Sequence, residues 1–324
     1  MRRLLLCANP TASGFTGRLH REVLARFRAE FDVDSEWPKT PGDTRDLSIS
    51  AAADGVDVVV AMGGDGVVHH VANGIGGTAT ALGVIPAGTT NVLARLTGIP
   101  SHHKKAADLI CGPTPSRPIP SARLSIRHKD GSVDQRRATF STGLGFDAEV
   151  VEVAEQEPYR KYRFGGIHYA RSAASVLWNE FADRVATLNV TSGDRTADAV
   201  AVFVQLHAHY TYFGRLPLRF GTHQPGTATV LVAKELSRKR IASLLVGTAT
   251  HRNFTGINGI EVWEDVERLH VISEEASTSA QADGELLGMP ASMTITVEPD
   301  RLQIIAPLVE KRRRWSLRDR THEP

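Results

Sequence analysis

The sequence predicts an α/β N-terminal domain with a doubly wound sheet, followed by a C-terminal domain that is mostly an antiparallel β-sandwich. Three observations support this fold class: strands, loops and helices alternate in the first third, prolines interrupt the chain at Cys111–Pro120, and short strands dominate afterwards. The 324 residues also exceed one typical domain of ~150 residues. We therefore place one domain at 1–118 and a second at 119–304.

In the first domain, buried strands alternate with helices. Leu4–Ala8 predicts a short buried strand, and Gly55–Ala61 predicts a second one because its valines form a β-branched run. A third strand is expected at Leu82–Ile85. Between the first two strands, apolar residues recur at every fourth position and predict one helical stripe, formed by Leu19, Val23, Phe27 and Phe31. Such repeated units imply right-handed crossovers and a largely parallel sheet.

The second domain is expected to contain many short strands in sequence, as in an antiparallel sandwich or barrel. The candidates are Ala122–Ile126, Ala138–Ser141, Val185–Val190, Val200–Leu206, Ala228–Val232, Gly259–Trp263, Leu269–Ile272 and Ser292–Val297. One clear helix interrupts them at Ile167–Phe181, where apolar residues share one face.

Composition and charge exclude several classes of protein. Lysine plus arginine number 38 and aspartate plus glutamate 36, so the net charge of +2 lacks the basic excess of a dedicated nucleic-acid binder. The two cysteines, Cys7 and Cys111, rule out a disulfide scaffold. The apolar run near the start breaks at Asn9-Pro10, which favours a strand over a signal peptide. We expect a cytoplasmic protein that binds no nucleic acid and contacts membranes only peripherally, at the inner face.

The strongest local signal is a glycine turn after the second strand, Gly63-Gly64-Asp65-Gly66. Glycines let backbone N–H groups approach phosphate oxygens, and the N terminus of the following helix favours negative charge. Asp65 in such a turn is a candidate to hold Mg²⁺ between phosphates. The alternative is a tight strand-to-helix turn that needs positive φ angles.

Two further motifs add to this signal. The loop Pro86–Asn91 ends the third strand, so it should face the glycine turn across the edge at which open α/β sheets bind ligands. Thr89 offers a hydroxyl to phosphate, while Asn91 either contacts a ligand or caps the next helix. Far downstream, Gln281–Glu285 places two carboxylates around a glycine, a pattern that alone predicts a hairpin turn.

These motifs, with Asn9-Pro10 and the GLGFD segment at 143–147, resemble the diacylglycerol kinase-like family of bacterial lipid kinases, relatives of sphingosine and ceramide kinases. The resemblance covers about residues 1–305 in the family's motif order. It implies an N-terminal α/β domain of the NAD kinase and phosphofructokinase type, a C-terminal lipid-substrate β-sandwich and a nucleotide between them. It also implies that residues 305–324 return to the first domain.

The resemblance implies a set of site residues and a reaction. ATP and Mg²⁺ are the expected cofactors, with Mg²⁺ held at Asp65. The residues expected to bind nucleotide are Asn9, Thr40, Gly63, Gly64, Asp65, Gly66, Gly88, Thr89 and Asn91. Glu285 matches the family's proposed catalytic base, and Asp65 is the second expected catalytic residue. The expected reaction is transfer of the γ-phosphate to a lipid hydroxyl at a membrane surface, by default that of diacylglycerol to give phosphatidic acid.

The sequence departs from the family pattern at four places. Val67 replaces a threonine and offers no hydroxyl to phosphate, and Val92 replaces an aspartate. The pair His69-His70 replaces Asn-Glu, which we interpret as polar substitutions. Pro225 replaces the aspartate of the family's structural metal loop, so no structural magnesium is expected in the second domain.

Several alternatives stay open. A sphingoid-base or other lipid kinase would differ only in its acyl-binding cleft, and an NAD kinase-like enzyme would share the glycine turn, although its Asn-Glu dipeptide is not found. A catalytically weak lipid-binding module is the non-enzymatic alternative, and a homodimer is an open assembly state.

Two clusters outside these motifs have both a functional and a simpler interpretation. His207 and His209 are spaced to share one strand face and, with His223, could form a metal site, although satisfied or solvated histidines are the simpler interpretation. The basic tail at 311–320 is a candidate to dock on anionic headgroups.

Overall fold

The computed structural model describes residues 1–146, 148–149, 184–214, 216–235, 254, 256–274 and 278–307. The helix predicted at 167–181 and the basic tail at 311–320 lie outside these ranges. Within the described ranges the chain forms an α/β half followed by a mostly β half, which confirms the predicted fold class. Among these residues, no helix combines the length and apolar character that crossing a bilayer requires.

The first half is built on four parallel strands. They are β1 (Arg2–Ala8), β2 (Phe31–Glu36), β3 (Val58–Gly63) and β4 (Ala81–Pro86). They pair in the order β2-β1-β3-β4. The helices of this half are α1 (Gly17–Arg28), α2 (Pro41–Ala53), α3 (Asp65–Ile75), α4 (Val92–Thr97) and α5 (His103–Cys111). The aliphatic side chains of β3 and β4 are buried on both faces, as parallel strands covered by helices require.

The predicted helical stripe is wrong at its end. The first helix stops at Arg28, and Phe31 begins β2 rather than another helical turn. Phe31 is nevertheless buried, and its ring meets that of Phe27 edge-on with centroids 6.5 Å apart. Phe31 lies four positions after Phe27 and is buried like it, so the sequence pattern is that of a helix although the chain is already extended at Phe31.

The second half consists of fourteen strands among the described residues. They are β5 (Arg117–Arg127), β6 (Val133–Ala138), β7 (Ser141–Leu144), β8 (Leu188–Ser192), β9 (Arg195–Ala199), β10 (Ala201–Gln205), β11 (Thr211–Phe213), β12 (Leu216–Leu218), β13 (Ala228–Ala233), β14 (Ile260–Val266), β15 (Arg268–Ser273), β16 (Ala280–Ala282), β17 (Glu285–Gly288) and β18 (Ser292–Ile304). One sheet of six antiparallel strands has the order β14-β13-β10-β7-β16-β17. Its inner face shares one buried core with β5, β8, β15 and β18.

The long strand β18 belongs to both halves. Its first part pairs antiparallel with β15 and β5, and Met293 and Ile295 are buried in the sandwich core. Its end runs parallel to β4, where Gln303 and Ile304 pair with Ala81 and Leu82. One continuous sheet therefore links the parallel strands to the sandwich.

The strand predicted at Ala138–Ser141 is interrupted. The strand β6 ends at Ala138, and β7 begins only at Ser141. Between them, the backbone N–H groups of Thr139 and Phe140 point to the carboxylate of Asp283 instead of to a neighbouring strand. A side chain more than a hundred residues away thus determines where these strands begin and end.

Candidate active site

The two glycine loops at the carboxyl edge of the parallel sheet are in direct contact. The Ala87 N–H donates to the Gly63 carbonyl oxygen at 2.8 Å. A Cβ at Gly88 would collide with the Cα of Gly64, so position 88 must lack a side chain, whereas a Cβ at Gly64 would lie 3.4 Å from the Cα of Gly88. A third loop joins them, because the Gly14 N–H donates to the Ala87 carbonyl oxygen at 2.7 Å.

Close approach, and not a left-handed backbone, explains the glycines of the turn. None of Gly63, Gly64 and Gly66 has a positive φ, so the predicted alternative of a turn that needs positive φ is wrong. A Cβ at Gly63 would overlap the side chain of Val67, which fills the space beneath the turn. A Cβ at Gly66 would collide with the Oε1 atom of Glu285. Gly63 and Gly66 therefore each make room for a specific neighbour.

The turn leads into a helix whose N terminus is open. Gly64 occupies the N-cap position with an extended backbone and supplies no side-chain cap to α3. Uncapped N–H groups at a helix N terminus form a ready site for an anion. The structure shows this uncapped helix start, and the expected role of Gly64, Asp65 and Gly66 in phosphate binding stays a prediction.

Asp65 is the first residue of α3 and is half-buried. Its Oδ1 accepts the Leu93 N–H at 3.3 Å, so it caps the start of α4 from a different loop. Desolvation raises the pKa of its carboxyl to about 6, while the N–H groups of Val92 and Leu93 oppose this rise and the charge of Asp283 adds to it. A bound cation would stabilise the charged form of such a desolvated carboxylate more than that of a solvated one.

The residues fit Mg²⁺ carried in by a nucleotide rather than a metal held by the protein alone. Mg²⁺ usually keeps water and phosphate ligands and takes one or two carboxylates from the protein. Asp65 supplies one such carboxylate beside the open end of α3. The described residues contain no group of three His, Cys, Asp or Glu side chains placed to hold an ion unaided.

Asn9 and Thr89 lie on the loops that surround this turn. Asn9 follows β1, and its Oδ1 accepts both the N–H and the hydroxyl of Thr11, at 2.9 and 2.7 Å. Thr89 Oγ1 lies 3.1 Å from Ser13 Oγ. Both side chains thus stabilise polar loops at the edge that carries the glycine turn.

Asn91 is not the side-chain cap that one interpretation of the sequence predicts. It occupies the N-cap position of α4 in the left-handed region, with φ of 49°, and its side chain makes no capping hydrogen bond. Its amide instead pairs with the backbone of Gly88, accepting from the N–H at 3.0 Å and donating to the carbonyl oxygen at 2.7 Å. Asn91 therefore holds the second glycine loop closed.

Thr40 has a structural explanation of its own. It is the N-cap of α2, and its Oγ1 accepts the Asp43 N–H at 3.1 Å. The Asp43 carboxylate accepts the Thr40 N–H at 2.9 Å in return, which completes a capping box. The structure shows this contact for Thr40, and its expected role at the nucleotide stays a prediction.

The downstream motif forms a tight hairpin that reaches the glycine turn. Strands β16 and β17 are joined by Asp283 and Gly284, whose φ angles of 55° and 85° are those of the turns that fit hairpins. The hairpin prediction and the functional one are compatible, since the same turn carries Glu285 to Gly66. The Glu285 side chain remains 31% exposed, so it is accessible to a substrate.

Asp283 is buried, and the hydrogen bonds that its carboxylate accepts hold this hairpin in place. Its carboxylate accepts the backbone N–H groups of Thr139, Phe140 and Ser141 and the hydroxyl of Thr139. It also lies 2.9 Å from Nδ1 of His69, a side chain that is only 1% exposed. This contact connects the helix of the glycine turn to the second half of the molecule.

The histidine pair is the part of the site that sequence reasoning missed. His69 contacts Asp283, and Nε2 of His70 lies 3.5 Å from Oε2 of Glu285. Their interpretation as polar substitutions does not account for these two contacts. One signal was available in the sequence: His69 is a polar residue on a helix face whose other buried residues are apolar. A polar side chain that is buried in this way requires a hydrogen-bond partner.

His207 and His209 do not form the candidate metal pair, and His207 is the satisfied buried histidine of the simpler interpretation. The strand β10 ends at Gln205, so His207 and His209 do not share a strand face. His207 is buried, and its Nε2 donates to the Thr139 carbonyl oxygen at 2.8 Å. Desolvation lowers its pKa to about 4. His209 instead lies 3.3 Å from the Tyr212 hydroxyl.

Comparison with protein-family models supports the nucleotide-binding interpretation of the first half. Residues 3–119 match the model of the diacylglycerol kinase catalytic domain. This range contains all three loops at the edge of the parallel sheet. This part of the chain is similar to the catalytic domain of diacylglycerol kinases.

Individual relatives agree with this assignment. The diacylglycerol kinase of Bacillus subtilis (strain 168) is 36% identical over 124 residues, which are 37% of this chain and 41% of that protein. The "Probable lipid kinase YegS-like" of Xanthomonas campestris pv. campestris is 31% identical over 161 residues, 48% of this chain and 49% of that protein. The matched segments therefore span less than half of these relatives.

The similarity in fold to solved structures extends over a larger part of the chain than the similarity in sequence to these relatives. A diacylglycerol kinase structure from Bacillus anthracis str. Sterne has a TM-score of 0.67 at 19% identity, covering 94% of this chain and 97% of that one. Yeast NADH kinase in complex with NADH has a TM-score of 0.54 at 11% identity, covering 95% and 84%. The predicted kinship of the fold with NAD kinases is confirmed.

Proposed function

We propose that this protein is an ATP-dependent lipid kinase. The observation that carries the proposal is the position of Glu285, whose Oε1 occupies the space where Gly66 would have a Cβ. A carboxylate from the second half thus lies against the phosphate-binding turn of the first. This is the arrangement that transfer of a phosphoryl group to an alcohol requires, with a base beside the phosphate.

The first half supplies the expected nucleotide site. The N terminus of α3 presents N–H groups of the turn 63–66, and the loop 86–91 closes over it from the next strand. Mg²⁺, when bound with ATP, would neutralise phosphate charge, and Asp65 is the residue to hold it. Val67 supplies no hydroxyl, so backbone groups and Thr89 are left to contact the phosphates.

In the proposed reaction, Glu285 acts as the base. The acceptor hydroxyl gives its proton to Glu285 as its oxygen forms a bond to the γ-phosphorus of ATP. The bond between the γ-phosphorus and the bridging oxygen breaks, and ADP leaves with that oxygen. Because phosphoryl transfer depends mainly on positioning, the close packing of the glycine turn on Glu285 is its central structural requirement.

An apolar acceptor fits the surroundings of Glu285. The strand β17 begins with Glu285 and lies at the edge of the six-stranded sheet. Leu286 on this strand and Met289 just after it are exposed, at 37% and 51%. Exposed apolar residues beside a catalytic carboxylate suit an acyl chain or a membrane surface. Diacylglycerol is the default acceptor, since the Bacillus subtilis relative is named for it.

An assay with labelled ATP tests the proposal. We would present diacylglycerol, a sphingoid base, ceramide and other lipid alcohols in mixed vesicles, with NAD as the control acceptor. The expected result is labelled phospholipid from one or more lipids and no labelled NADP. Labelled NADP would indicate an NAD kinase-like enzyme instead. ATP binding without transfer to any acceptor would indicate a lipid-binding module and would overturn the proposal.

A further inference from the structure

His70 is placed to act on Glu285. The imidazole belongs to α3, four residues after Gly66, and Nε2 lies 3.5 Å from Oε2 of Glu285. This nitrogen is buried, and within the described ranges of the chain it has no hydrogen-bond partner. A buried N–H without a partner is costly, and a slight approach of the carboxylate would satisfy it.

The two oxygens of Glu285 face different groups. Oε1 lies against Gly66 of the phosphate-binding turn, and Oε2 lies toward His70. A hydrogen bond from His70 to Oε2 would fix the plane of the carboxylate. Oε1 then keeps its orientation toward the glycine turn, where the incoming hydroxyl would meet the phosphate.

The surroundings of His70 are themselves well held. Its ring meets that of His69 edge-on, with centroids 5.1 Å apart and an interplanar angle of 87°. His69 contacts Asp283 at 2.9 Å, and Asp283 is fixed by the backbone N–H groups of residues 139–141. The two carboxylates of the hairpin are therefore matched with two successive histidines of one helix.

We propose that His70 is a positioning residue for Glu285 and acts as the hydrogen-bond donor to its Oε2 atom. This inference rests on the proposed lipid kinase function. His70 takes no part in the proton transfer: the substrate O–H bond breaks, and the proton moves to Oε1 of Glu285. His70 touches neither ATP nor the lipid, so its removal should lower kcat and leave the KM for ATP unchanged.

Variants that differ in where they place an N–H group provide the test. The side-chain nitrogen of glutamine matches the position of histidine Nε2, whereas that of asparagine falls short of it. We expect His70→Gln to keep most of the wild-type kcat. His70→Leu and His70→Asn should lose about 10- to 100-fold, the value of a hydrogen bond to a charged group. His270→Leu, on β15 in the second half, is the matched control and should keep wild-type kcat.

A double-mutant cycle separates positioning from general damage. In a Glu285→Gln background, His70→Leu should cost nothing further, because no base is left to orient. Wild-type kcat in both His70→Leu and His70→Asn would overturn the inference, as would equal losses in His70→Gln and His70→Asn or additive losses with Glu285→Gln. A wild-type protein that phosphorylates no lipid would overturn the proposed function itself.

Discussion

At the scale of single residues, the buried position of the Asp65 carboxyl lowers the stability of the folded state at neutral pH. Desolvation raises the pKa of its carboxyl to about 6, above the value of 3.8 for a free aspartate. Between these values the folded state binds more protons than the unfolded state, so ionising Asp65 at neutral pH destabilises the fold. In the proposed function, this charge is the one that would meet a cation and the phosphates of ATP.

Asp65→Asn should therefore be more stable and less active. Asparagine keeps an oxygen for the Leu93 N–H and removes the desolvated charge. We expect the free energy of unfolding at pH 7.5 to rise by about 1–2 kcal/mol, and phosphoryl transfer to fall at least about 100-fold. Urea unfolding of Asp65→Asn and of the exposed control Asp300→Asn would measure this. A loss of stability in Asp65→Asn would contradict the account.

His207 gives the protein an acid-sensitive core. Desolvation lowers its pKa to about 4, so the folded state holds it neutral between pH 6.5 and 4 while the unfolded chain becomes protonated. Its contribution to stability is complete above pH 6.5 and is lost as the pH falls, by about 3 kcal/mol at pH 4. His207→Gln, which can still donate to Thr139, should show a shallower decline of unfolding free energy. An unchanged slope would exclude His207 as the cause.

At the scale of elements, the three loops at the carboxyl edge of the parallel sheet work as one unit because their backbones touch. Residues 14, 63–64 and 87–88 are joined by backbone hydrogen bonds and by the contact of two glycine Cα atoms. Substitutions here should therefore affect ATP binding through loop spacing rather than through lost side-chain contacts.

Gly88→Ala tests this spacing. Its Cβ would collide with the Gly64 backbone, which cannot rotate away. Overpacking of this kind costs about 1–3 kcal/mol, so we expect ATP affinity to fall at least about 10-fold. Gly17→Ala at the start of α1 is the matched control, because its Cβ would lie 3.5 Å from the nearest atom. Isothermal titration with an ATP analogue measures both. Equal affinity of both variants would show that the loops tolerate separation.

The elements that the sequence predicted well are those whose signal is local. The strands β3 and β4 are runs of β-branched and aliphatic residues followed by glycine loops, and both lie within two or three residues of their predicted limits. Helix α2 was missed because its buried residues are Thr44, Ser48 and Ala51, which form no apolar stripe. Its local signals were the capping box around Thr40 and the proline at its first position, Pro41.

The contacts that complete the site could not be predicted, because each joins distant parts of the chain. His69 and Asp283 are separated by 214 positions, and nothing near either residue identifies the other. The motifs indicated which loops would meet, since strand ends share one edge of the sheet. The pairing of each carboxylate with one histidine depends on how α3 packs against the hairpin.

At the scale of the whole molecule, α3 joins the halves through its side chains, in addition to the backbone link that β18 makes. Asn73 pairs with the backbone of Arg137 in β6, accepting its N–H at 2.7 Å and donating to its carbonyl oxygen at 2.9 Å. His69 adds the contact to Asp283 on the same side. The helix that begins at the phosphate-binding turn is thus fixed to the sandwich that carries Glu285.

Asp283→Ala should weaken this junction severely. Removing the carboxylate leaves the N–H groups of residues 139–141 buried without an acceptor, and we expect a loss of about 3–5 kcal/mol in unfolding free energy. Thr139→Val removes one hydroxyl from the same cluster and should cost about 1–2 kcal/mol. Equal costs for the two variants would show that Asp283 does not organise the cluster.

The most direct test of the central claim is the rate of γ-phosphate transfer to the preferred lipid by wild-type protein and by Glu285→Gln at saturating ATP. Glutamine preserves the shape of the side chain and removes the base. We predict a fall in kcat of about 10²- to 10⁴-fold with the affinity for ATP unchanged. Full activity in Glu285→Gln would contradict the assignment of Glu285 as the base.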